Sequence, residues 1–266
     1  VRTGPGVRIA AVLMAVFLVT PTVIVIATAF NPTSMIVFPP GGFSLRWFQE
    51  VLEDRSWSTA FANSLQVGLV AAVIAMVAGT SLALLASRGR GPLAHLASVL
   101  AVLPMTVPLV VAGLAFYLVY ARIGFTGGAL SLGVAHAVIG LPFVFVNVLA
   151  ALTNVDRSVE EAARISGANQ TVTMLRITLP LVAPAALVGG VLAFVSSWDE
   201  VVVALFLNTP QFRTIPVEMW SQVRSGVEPS ISAVAALLTL VSLVLAGLVL
   251  LAPRLRVTRL LRMGKS

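Results

Sequence analysis

Two carboxylates stand side by side at the end of a long apolar run, in Ser196-Ser197-Trp198-Asp199-Glu200-Val201-Val202-Val203. Charges next to a membrane-length helix are costly unless they meet water, a cation or a cavity, which makes the pair a candidate binding site. Trp198 adds an indole face that can attract a cation. Successive helical residues point about 100° apart, so both carboxylates cannot line one narrow path equally. Asp199 is the preferred ligand, with Trp198 and Glu200 beside it. The plainer alternative is a hydrated interface, or an ion pair with a basic residue such as Arg213.

A second polar group runs Asp156-Arg157-Ser158, then Glu160-Glu161-Ala162-Ala163-Arg164, then Ser166-Gly167-Ala168-Asn169. Ser158 three residues before Glu161 fits a capping box, the Glu-Glu-Ala-Ala-Arg run favours helix, and Gly167 can adopt a left-handed stop. These signals predict a helix of about two turns. A second short helix follows from about Asn169 to Arg176, and Pro180 sits where the next apolar run begins, a position proline tolerates. The paired alanines allow close approach of a partner, the glycine permits the turn, and glutamate and arginine can anchor the rim. Such a knob is built for docking. An ordinary loop helix would explain the cap and the glycine but not the Ile177-x-Leu179-Pro180 that follows.

Other chemistries find no residues. Cysteine is absent, which removes disulfides, thiolate metal sites and cysteine nucleophiles. His95 and His136 lie in apolar runs without a ligand cluster, so packing or interfacial hydrogen bonding suits them better than a metal or a proton relay. No G-x-x-x-x-G-K-[ST] loop occurs and the lone lysine is Lys265, so this chain is not expected to bind ATP.

The elements that must hold these residues belong in lipid. Of 266 residues 58% are hydrophobic and only 10% charged, and the mean hydropathy is +1.01, too apolar for the polar shell of a soluble domain. Six apolar segments are long enough to span: Ile9–Phe30, Phe61–Ser87, Leu93–Tyr120, Leu130–Leu152, Leu181–Leu205 and Ser230–Ala252. They are continuous rather than alternating, which predicts an all-α polytopic protein and not a barrel. The first is read as a retained helix, because no small-residue cleavage site follows it. Pro104, Pro108 and Pro142 fall inside spans and invite kinks, either as part of a pathway or because membrane helices tolerate proline.

The net charge of +7 is spread between and beyond the spans, which points to membrane orientation rather than nucleic acid. Arg2, Arg8, Arg88, Arg90, Arg157, Arg164, Arg176 and the cluster Arg254, Arg256, Arg259, Arg262 and Lys265 fall on one side. Only Arg46, Arg55, Arg122, Arg213 and Arg224 fall on the other. Both termini and the loop at 153–180 are therefore expected in the cytoplasm, and the 31–60 and 206–229 loops outside. Within the first outer loop, Phe43–Trp57 mixes aromatics and charges as an interfacial helix would.

The arrangement Glu161-Ala162-Ala163, three residues, Gly167, nine residues, Ile177, one residue, Leu179-Pro180 resembles the EAA loop of ABC importer permeases at every spacing. Asn63-Ser64-Leu65 and Leu103-Pro104 to Pro108 also look like that family, so the resemblance covers most of the chain. Residues 196–206, Arg213-Thr214-Ile215-Pro216-Val217 and Met219-Trp220 are similar to its spermidine/putrescine branch, although importers of other solutes share much of this pattern.

The resemblance implies a type I permease fold in one domain, 1–266, in the bacterial cytoplasmic membrane. It implies ATPase coupling through Glu161, Ala162, Ala163, Arg164, Gly167, Ile177, Leu179 and Pro180. The implied partners are a second homologous permease, an ATPase dimer holding ATP and Mg, an extracytoplasmic substrate-binding protein, and membrane lipid, with no nucleic acid and no cofactor on this chain. The implied solute is a polyamine, the alternatives being an amino-acid derivative, iron or an organic anion. An ion-coupled secondary transporter would need midplane coupling sites and often internal repeats, and neither is clear here. A membrane scaffold or sensor would carry an appended soluble domain, for which the tail Pro253–Ser266 leaves no room.

Overall fold

A backbone in lipid must satisfy its own polar groups, and the long apolar runs do so as helices. The computed structural model describes residues 4–226 and 228–263, and among them the only β pairing is an isolated bridge between Thr209 and Phe212. Among the described residues five helices are long and apolar enough to cross a membrane, and a bent pair makes a sixth if it crosses as one broken span. Arg2 and Lys265 lie outside the described residues. The chain divides into two compact units, Val1–Thr59 with Glu218–Leu243 and Ala60–Val217 with Val244–Ser266.

In the first unit, α1 (Pro5–Thr28) opens on a proline whose missing N–H costs nothing in a first turn. Its most apolar stretch is 0% buried, so Leu13, Phe17 and Leu18 face whatever surrounds the chain, as lipid-facing side chains do. At its end Thr28 is buried and donates to Ser232 Oγ at 3.2 Å. The interfacial helix expected within Phe43–Trp57 is α2 (Arg46–Glu53), which buries Trp47 and Val51 on one face and exposes Leu52 on the other. The Trp47 indole N–H donates to the Asn31 carbonyl at 2.7 Å, so the anchor is fixed at its polar end as well.

The second unit is organised by α6 (Ala129–Asn154) and α9 (Leu179–Trp198), with the inner part of α3 (Arg55–Arg88) beside them. Apolar burial drives little association in lipid, so close packing has to do that work, and small residues permit it. A Cβ added at Gly189 would lie 2.5 Å from Val144 Cα, and one at Gly140 would lie 2.7 Å from Ala193 Cβ. Around this contact Val144, Val148, Leu152 and Val182 form a core with Ala75 and Ala83 of α3.

Two expected spans differ. The third is α4 (Pro92–Val102), a 3-10 turn at Leu103–Thr106 and α5 (Leu109–Ile123), and the chain bends by 108° between the two halves. Pro104 and Pro108 remove two consecutive sets of helical bonds, which converts an expected kink into a break. In the fifth, the second loop helix is not separate: α8 (Gln170–Thr173) runs through a π turn at Met174–Thr178 directly into α9. The wider π turn accommodates Pro180, whose ring would crowd the Arg176 carbonyl in a regular helix. One continuous helix therefore spans Gln170–Trp198 and stops seven residues before the expected end at Leu205. The Val202–Leu207 run forms its own helix, α10, and α11 (Ile215–Ser225) and α12 (Pro229–Met263) follow it.

Candidate functional site

The predicted knob is present, with a different cap. α7 (Arg157–Ile165) is capped by Asp156, whose carboxylate accepts the Ser158 N–H at 2.9 Å, rather than by Ser158. Asp156 takes the extended backbone that a cap needs, which places Ser158 inside the first turn. The Ser158 backbone N–H, followed by its hydroxyl, holds the Asp156 carboxyl below the ordinary range. The cap therefore contributes stability above that range and loses it as pH falls through the lowered value.

Gly167 ends the helix at φ +92°. The Ala168 N–H reaches the Ala163 carbonyl and the Gly167 N–H reaches the Arg164 carbonyl, both at 3.0 Å, which is the Schellman pattern. Nothing lies near the missing Cβ, so the glycine is needed for its backbone angle and not for space. A valine there costs about 1–3 kcal/mol of local strain. Gly167→Val is expected to open this turn and raise tryptic cleavage after Arg164 by roughly tenfold in limited proteolysis; an unchanged cleavage rate would contradict it.

Glu160, not Glu161, fastens α7 to the bundle. Glu160 Oε1 receives Arg88 Nη2 from the end of α3 and Thr178 Oγ1 from the π turn, each at 2.9 Å. Arg157 adds a bond from Nη2 to the Ser87 carbonyl at 3.2 Å. Adjacent glutamates on a helix point about 100° apart, so Glu161 is left exposed with Ala162, Arg164 and Gly167, while Ala163 is half-buried. Val159 and Ile165 extend this outer surface, and Ile165 is 88% exposed. Ile177 and Leu179 are half-buried in and after the π turn, and Pro180 is exposed. The structure thus places the eight expected coupling residues along one stretch and adds Glu160, Arg88 and Thr178 behind it.

The acidic pair sits in the break between α9 and α10, and its two members differ. Glu200 is buried and accepts the Val203 N–H at 2.9 Å through Oε1 and the Ala204 N–H at 3.0 Å through Oε2. It satisfies the free donors of α10, which is why the helix restarts there. His136 of α6 stands 3.4 Å from Glu200 Oε2 through Nε2, and its Nδ1 is 2.8 Å from Ser197 Oγ. Asp199 is exposed. Trp198 is 4% exposed, stacked on Phe194 at 5.5 Å and tilted against Phe61 at 6.2 Å between ring centroids. Neither His136 nor Ser197 was expected here. A histidine on an apolar helix carries no sequence mark of the buried carboxylate it will meet across 64 positions; only the cost of burying it unpaired hints at a partner.

The sequence profile of the binding-protein-dependent transport system inner membrane component family matches residues 75–257. The chain is 34% identical over 229 residues to the putrescine transport system permease protein PotI of Escherichia coli K12, covering 84% of this chain and 81% of that one. It is 32% identical over 231 residues to the spermidine/putrescine transport system permease protein PotC of the same strain, covering 86% of each. Among solved structures it resembles a bacterial alginate ABC transporter in complex with a pentasaccharide-bound periplasmic protein, with a TM-score of 0.69 at 16% identity over 92% of each chain. An amino acid ABC transporter with histidines gives a TM-score of 0.59 at 20% identity, over 78% of this chain and 97% of that one. At such identities the two structures speak for the fold alone.

Proposed function

This chain belongs to the family of binding-protein-dependent transport system inner membrane components, and from that premise we propose that the solute it helps to import is a polyamine. It is a multi-pass inner-membrane protein and a non-catalytic permease subunit of an ABC importer. The observation that carries the proposal is the exposed Asp199 beside buried Trp198 and Glu200, in a chain whose relatives are named for putrescine and spermidine transport. Asp199 is the carboxylate placed to replace water around an ammonium, while Glu200 and Trp198 hold the break that presents it.

The partners that complete the importer are a second permease of similar fold, an ATPase dimer that binds ATP and Mg, and a binding protein on the outer side. ATP supplies the driving chemistry on the ATPase pair, and this chain converts the resulting movement. The exposed side of α7 is the docking surface, with Glu161, Ala162, Arg164 and Ile165 toward the ATPase. Glu160 passes the displacement to Arg88 on α3 and to Thr178 on the helix Gln170–Trp198. That helix has 29 residues, and at 1.5 Å per residue it reaches about 44 Å, from the cytoplasmic knob to the acidic break. A push on α7 is thus carried along one rigid element to the substrate residues.

Docking is testable because the chain has no cysteine of its own. A single Ile165→Cys variant is expected to cross-link to the ATPase subunit, with both termini and α7 on the cytoplasmic side. Labelling of that cysteine by an impermeant thiol reagent from the outer side of intact cells would reverse the orientation and remove the docking surface.

A further inference from the structure

Behind α7 lies an open cleft of about 520 Å³, within the size range of small-ligand sites. Four guanidinium groups line it, from Arg88, Arg90, Arg157 and Arg164, against two carboxylates, Glu160 and Glu161. Glu160 is already neutralised by Arg88 at 2.9 Å. Arg157 reaches a backbone carbonyl, and neither Arg90 nor Arg164 forms an ion pair among the described residues. The buried Nε of Arg88 has no hydrogen-bond partner there either. Three cations therefore face one free carboxylate in a recess at the end of a membrane-length helix.

We propose that this cleft is a binding site for a phosphate-type oxyanion, supplied by the headgroup of an anionic phospholipid or by soluble phosphate. Guanidinium groups match the oxygens of a phosphate in pairs, and an arginine whose donors are not committed to protein is the natural partner for one. Arg90 supplies the primary contact and Arg164 a second one from the rim that the cleft shares with the docking side of α7, Arg157 and the spare Arg88 donor contribute field from behind, and Glu161 on the same rim opposes the ligand. The site lies beside the coupling helix without using the substrate residues, so it stands or falls separately from polyamine transport.

The test uses the detergent-solubilised transporter with its copurifying subunits, exposed separately to phosphatidylglycerol, phosphatidylcholine and inorganic phosphate, with retained molecules counted by native mass spectrometry. Arg90 makes no contact that holds the fold, so Arg90→Gln is expected to leave assembly intact and to lower retention of the anion roughly fivefold. Arg90→Lys should restore part of it, and Glu161→Gln should raise it. Retention of phosphatidylglycerol alone assigns the site to lipid, retention of phosphate alone assigns it to a soluble anion, and retention of both assigns it to the oxyanion itself. Retention that is no greater than for phosphatidylcholine, or that is the same in wild type and Arg90→Gln, overturns the proposal.

Discussion

Glu160→Ala is expected to separate ATP hydrolysis from transport. The substitution removes the one oxygen that Arg88 and Thr178 share, and it leaves a guanidinium at the bundle surface without its counter-charge. Breaking a fully buried pair in this way costs about 3–5 kcal/mol. The side chains here are 19% and 9% exposed and line an open cleft, so a discounted figure of about 1–3 kcal/mol is appropriate. That is enough to let α7 move without moving α3 or the helix Gln170–Trp198. Transport per ATP hydrolysed should fall by about tenfold or more, in a complex that still assembles through the untouched outer face of α7. Glu160→Gln keeps an acceptor for Thr178 and should lie between the two. An unaltered ratio of transport to hydrolysis in Glu160→Ala would show that the clip carries no force.

Asp199→Asn is expected to produce the second large effect, and a selective one. The side chain keeps its size, while a charge-assisted bond of about 1.5–3 kcal/mol to a cationic solute is lost. Polyamine uptake should drop by roughly ten- to hundredfold, with basal ATPase activity and assembly retained. Glu200→Gln should behave differently. Both Glu200 oxygens are engaged by the N–H groups that start α10, and His136 stands against one of them, so its loss should disturb the break itself. The expected signature is lower assembly or thermal stability rather than a solute-selective defect. A substrate-selective defect from Glu200→Gln with none from Asp199→Asn would exchange the roles assigned to the two carboxylates.

Much of this was legible in the residues. The apolar runs marked the spans to within a turn or two wherever no proline or carboxylate intervened, because lipid leaves the backbone little choice but helix. The loop at 153–180 was readable because Gly167, the paired alanines and Pro180 each carry a local conformational meaning. Three of the failures share a cause: each depended on a partner distant in sequence or on competition for the same N–H groups. Asp156 displaced Ser158 as the cap because the backbone turns two residues earlier than the capping-box spacing implied. The fifth span stops at Trp198 because Glu200 captures the N–H groups of Val203 and Ala204, an effect invisible in a run of valines. Glu160 was not among the expected coupling residues, because its role depends on Arg88, 72 residues away.

The most direct test of the account is ATP-dependent accumulation of labelled putrescine in proteoliposomes containing the complete transporter, with ATP supplied on the α7 side and the binding protein on the other. The account predicts accumulation that requires ATP hydrolysis and is competed by spermidine but not by a neutral amino acid. A complex that hydrolyses ATP normally yet accumulates neither polyamine would contradict it.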